Sequence, residues 1–112
     1  MKTAADVQAY LMKMELPSEE PRENTWMVTG LDGLDSLIVT MAGPVLVFRV
    51  KVMDIPSKHR EELFRTLLEL NATKMMHGAY GIEGESVVIM DALQLENLDY
   101  NEFAATVDDI SL

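Results

Sequence analysis

The chain has 112 residues, no cysteine, and 9 basic against 19 acidic side chains, a formal net charge of −10. That length suits a single domain (1–112) burying about two-thirds of its unfolded surface, and the missing cysteine excludes disulfides and thiolate metal sites. A phosphate backbone would be repelled by this charge, so nucleic acid is not expected as a partner.

No apolar run reaches the roughly 18 residues of a membrane helix, and "MKTAADVQAYLMKMEL" lacks the apolar region of a signal peptide. The expected setting is cytoplasmic, with no membrane partner. After Lys74 there is no Lys or Arg, while acids continue from Glu83 to Asp109. Such a run serves as a solvated face or as a docking surface for a basic partner.

Val7, Tyr10, Leu11 and Met14 fall at i, i+3, i+4, i+7, which predicts a one-sided helix over residues 3–15. "ELPSEEPREN" (15–24) reads as a loop because of its prolines and glutamates. "TWMVTG" and "SLIVTMA" are predicted strands around the Asp-Gly reversal in "LDGLD", and Gly43-Pro44 is the next break. In "VLVFRVKVMD" (45–54), alternation sends Leu46, Phe48, Val50 and Val52 towards the core. Val45, Val47, Arg49, Lys51 and Met53 take the opposite face.

Ser57, after Pro56, is the expected N-cap of a second helix, with Glu61 and Glu62 near its positive end. Leu63, Phe64, Leu67, Leu68 and Leu70 make a stripe wider than one seam against a sheet requires. The excess points to a second copy of the chain, with Leu63, Leu67 and Leu70 as candidate dimer-interface residues. "GAYGI" and "SVVIMDAL" are two further strands turned by Gly84. Asp99 as N-cap, Glu102 at N3 and a Leu98–Phe103 staple begin the last helix. The expected architecture is α+β in the order αβββαββα: a mainly antiparallel five-stranded sheet with helices packed on it.

Asn97, Asp99, Asn101 and Asp108 match calcium-loop positions 1, 3, 5 and 12. Position 6, however, is Glu102 where the turn needs glycine, and the same residues are accounted for by a helix start. His59 has no second histidine four residues on, and His77 sits at a strand start. "G-x-S-x-G" and phosphate-binding glycine patterns are absent. No catalytic, metal or cofactor-binding residue is assigned, no cofactor is expected, and the chain reads as a non-enzyme. The rival reading is a small enzyme or metal-binding protein whose carboxylates converge only in the fold.

Methionine occurs nine times, and its adaptable side chain suits surfaces that accept varied partners as well as core gaps. Met12, Met53, Met75 and Met76 are the ones expected to be exposed. Met12, Val45, Val47 and Met53 are the candidate contacts for a protein partner.

The run from Pro56 to Ile110 joins a helix ending in Leu68-x-x-Asn71 to a Gly78-Ala79-Tyr80 strand and a Glu83-Gly84 turn. Leu93-Leu95-Leu98 and a closing helix follow. This pattern resembles the type III secretion chaperone-like superfamily, including its YbjN-type members. The resemblance implies a small acidic bacterial protein, commonly a homodimer, that binds a protein partner or client in a chaperone-like or regulatory role and catalyses nothing.

Overall fold

The computed structural model describes residues 1–30, 36–75 and 78–110. In chain order these form α1 (Ala4–Lys13), β1 (Ser18–Arg22), β2 (Thr25–Val28), β3 (Leu37–Ala42) and β4 (Val45–Asp54). After them come α2 (Arg60–Thr73), β5 (Ala79–Glu83), β6 (Ser86–Gln94) and α3 (Tyr100–Ile110). One six-stranded sheet runs β1-β2-β3-β4-β6-β5 with every neighbouring pair antiparallel. The α+β class is as expected, with one strand more than the five expected. The "LDGLD" reversal, Met76 and His77 lie outside the described residues.

The extra strand is β1, in the segment expected to be a loop. It sits at the sheet edge and pairs only with β2, through Ser18↔Val28, Glu19↔Met27 and Arg22↔Thr25. An edge strand of this kind needs backbone groups, not an apolar face. Its side chains from Glu19 to Arg22 are all exposed, so no period-2 signal exists to be read. Pro21 is tolerated because it falls at the register irregularity between Glu19 and Arg22.

Helices α1 and α3 pack together on one face of the sheet. Val7 and Leu11 from α1 and Phe103, Val107 and Ile110 from α3 join Trp26, Val28, Leu37, Val39, Leu46, Phe48 and Val50 in the core. Polar latches fix α1 in place. The Trp26 indole N–H donates to Gln8 Oε1 at 2.9 Å, and the Tyr10 hydroxyl donates to the Leu98 carbonyl at 3.0 Å. At its start, the Thr3 N–H and hydroxyl donate to Asp6 Oδ2 at 2.8 and 3.0 Å. Those bonds hold the Asp6 carboxyl below the usual carboxylate range.

The start of α3 is as the sequence dictates. Asp99 Oδ1 accepts the Glu102 N–H at 2.8 Å, and Leu98 and Phe103 are both buried as a staple requires. With residues 100–110 helical and Asp99 engaged as a cap, the calcium-like spacing belongs to a helix start. The start of α2 departs from expectation: the helix begins at Arg60, and its N-cap is His59 in the left-handed region (φ 59°), not Ser57. The chain is still tied to the sheet at Ile55, whose N–H donates to the Glu85 carbonyl at 2.8 Å. Residues 56–59 are therefore spent turning the chain away from β6.

The Leu68-x-x-Asn71 pattern has a physical role here. The Asn71 side chain accepts the Tyr80 N–H at 2.7 Å and donates to the Tyr80 carbonyl at 3.2 Å. It thereby occupies backbone groups that edge strand β5 would otherwise leave unpaired. Asn71→Ala is expected to lower stability by about 1–3 kcal/mol, because two part-buried groups lose their partner. Urea unfolding checks this, and a loss below about 0.5 kcal/mol would remove that role from Asn71.

Candidate functional site

Alternation along β4 builds two surfaces. Leu46, Phe48 and Val50 are in the core as expected. Val52 is not, because the register slips between Lys51↔Val88 and Met53↔Val87, and Val52 is left over as a bulge. The slip reverses the faces beyond it. Met53 now shares a row with Val87 and Ile82, on the side opposite Val45 and Val47. The expectation that Met53 lies beside Val45 and Val47 is thus corrected, and its cause is one inserted residue.

The face bearing Val45 and Val47 is turned away from α1 and α3. Its cross-strand rows run Met27–Ile38–Arg49–Met90 and Thr25–Thr40–Val47–Ala92, with Val45 between Ala42 and Gln94. Met27, Ile38, Val45, Val47 and Met90 are half-buried and stand outside the core cluster. Arg49 alone brings charge into the middle of these rows, and the Glu83 carboxylate lies 3.2 Å from its buried Nε, out of hydrogen-bonding line. The result is a mostly aliphatic sheet face crossed by the Arg49–Glu83 ion pair.

Met12 does not belong to this surface. It lies on α1, on the other side of the sheet, and is 69 % exposed. Met75, expected to be exposed, instead packs against the core. Of the four candidate partner contacts, the structure brings only Val45 and Val47 together.

A second apolar surface lies between α2 and β5. A groove of about 240 Å³ is lined by Phe64, Leu67, Leu68, Asn71, Tyr80, Gly81 and Ile82. Leu68 is 68 % and Ile82 54 % exposed, both large apolar side chains in water. Of Leu63, Leu67 and Leu70, only Leu67 lines the groove; the other two are half-buried elsewhere on α2. Arg60 borders the same helix face, 5.9 Å from the Phe64 ring and 3.3 Å from Glu85. Leu68 was legible as part of the wide leucine stripe. Ile82 was not, because a strand residue gives no sign that a helix will flank it.

Among the described residues no three His, Asp or Glu side chains gather as a metal ion would need. His59 Nδ1 lies 3.9 Å from Glu62, with both side chains largely exposed. Nor is any described helix long and apolar enough to cross a membrane.

The fold recurs in known proteins at low sequence identity. YbjN from E. coli superposes with a TM-score of 0.73 at 15 % identity, covering 98 % of this chain and 87 % of that one. A chain of the ExoU–SpcU complex, from the type III secretion system of Pseudomonas aeruginosa, gives 0.75 at 14 %, covering 94 % and 88 %. One from the HopA1–SchA chaperone–effector complex gives 0.70 at 9 %, covering 95 % and 84 %. No curated protein matches the chain in sequence. The family model CesT_Tir_1 matches residues 1–112, from the first helix to the last. By that whole-length match, the chain belongs to the CesT_Tir_1 family, a type III chaperone family.

Proposed function

We propose that the protein is a non-catalytic, cytoplasmic binding module, chaperone-like or regulatory, that acts as a homodimer on a protein partner. The observation that carries this reading is the aliphatic sheet face around Val45 and Val47, which faces away from both core helices. A face of that kind suits an extended apolar segment. Association there is driven by non-directional burial, at about 25 cal/mol per Å² before ordering costs. The solved relatives lend support, since one is a chaperone–effector complex and another a heterodimeric complex of a type III secretion system. The α2–β5 groove is a separate surface and serves the second copy. Phe64, Leu67, Leu68 and Ile82, which line it, are its proposed main contacts, and of Leu63, Leu67 and Leu70 only Leu67 lies among them.

Affinity purification from the native cell, with mass spectrometry, tests the partner face. Val47→Asp puts a charge in the centre of the aliphatic rows at a half-buried position, away from the α2 groove. The variant is expected to lose a partner held by the parent chain by at least about tenfold while its own mass in solution is unchanged. An identical set of partners for both proteins would move the binding site elsewhere.

A further inference from the structure

We infer that α2 is a conditional part of the fold: the second copy holds it on the sheet edge, and its release in the free monomer opens β5 to strand pairing. This rests on the reading of the α2–β5 groove as the dimer surface. Two fully buried side chains anchor α1 and four anchor α3, whereas α2 has none. Its N-cap, His59, makes no side-chain cap bond and holds a left-handed backbone. Its apolar side chains Leu63, Phe64, Leu67 and Leu70 are only half-buried, and its polar ties lie near its two ends: Arg60 to Glu85 at 3.3 Å, both exposed, and Asn71 to the Tyr80 backbone. A helix of 14 residues is marginal without tertiary packing, so such an element belongs at the low end of local stability. A second copy lying over Phe64, Leu67 and Leu68 supplies the apolar cover that the sheet does not.

The two edges of the sheet make the consequence specific. β1 is blunted permanently by Glu19, Glu20, Pro21 and Arg22. β5 runs Ala79-Tyr80-Gly81-Ile82 without charge or proline before Glu83, and among the described residues its Tyr80 N–H and carbonyl are covered by Asn71 of α2. When α2 leaves, those groups become available to any extended chain. Dimer formation and protection of the β5 edge are therefore one coupled event.

Hydrogen exchange read by mass spectrometry tests this on the parent protein and on a Leu68→Glu/Ile82→Glu variant, each with its mass measured by light scattering. In the parent dimer, amides of residues 63–73 are expected to exchange within about tenfold of those in α3. In the monomeric variant they are expected to exchange at least about 100-fold faster than α3, with Tyr80 following them, while α1 and α3 keep their protection. A monomeric variant whose α2 is protected like α3 overturns the inference and leaves the dimer surface standing. A variant that stays dimeric, or a parent that is monomeric throughout, overturns the dimer reading and takes the inference with it. Diluting the parent until it dissociates gives the same comparison with no substitution.

Discussion

With Leu68 and Ile82 both replaced by Glu, the protein is expected to run as a folded monomer in light scattering, near its chain mass of 12.6 kDa. The parent is expected at twice that mass. Both side chains are mostly in water within one copy, so the new carboxylates cost the isolated fold little. Against a second copy each would be buried without a partner, and desolvating an unpaired charge costs several kcal/mol. Two such penalties weaken association by about a thousandfold or more. Leu63 and Leu67 are less suitable for the test because they are half-buried, and a charge there disturbs the monomer too. Equal masses for parent and variant would show that the groove is not the dimer surface.

The second large effect is on stability. Phe103→Ala is expected to cost about 3–5 kcal/mol, the range for emptying a well-packed aromatic site. Phe103 is fully buried at the junction of three elements, with ring centroids 5.6 Å from Phe48 on β4 and 5.4 Å from Tyr10 on α1. It also closes the staple that starts α3, so the truncation empties a cavity and loosens a helix start together. A thermal melt should fall by roughly 15 °C or more in a domain of this size. A loss under about 1 kcal/mol would mean that neighbouring side chains collapse into the space. Such an outcome would place the core's rigidity elsewhere.

What could be read from sequence follows from what leaves a pattern. β4 up to Val50, the apolar faces of α1 and α3, and the Asp99 cap each impose a period or a spaced pair on the chain. β1 imposes neither, since its side chains are exposed and only its backbone pairs. The bulge at Val52 reverses the parity of everything beyond it, yet no residue type marks the slip, so strict alternation puts Met53 on the wrong face. Likewise Ser57 is a plausible cap by type, but the tie at Ile55 delays the helix to Arg60. For the candidate sites, the shared face of Val45 and Val47 is legible because alternation needs only local sequence. The α2 groove takes Phe64, Leu67 and Leu68 from one element and Tyr80 and Ile82 from another, an approach that depends on Asn71 meeting the Tyr80 backbone.

Trp26 is the single tryptophan of the chain; its indole is buried in β2, with the N–H engaged by Gln8 of α1. Its emission is therefore an intrinsic optical signal for the docking of α1 on the sheet. In the strand order, β3, β4 and β6 separate this dye-free probe from β5, so it is expected to be silent to events at α2. A shift in that emission would thus report loosening of the core at α1, and an unchanged emission beside lost protection in α2 would place the change outside it, with no label attached.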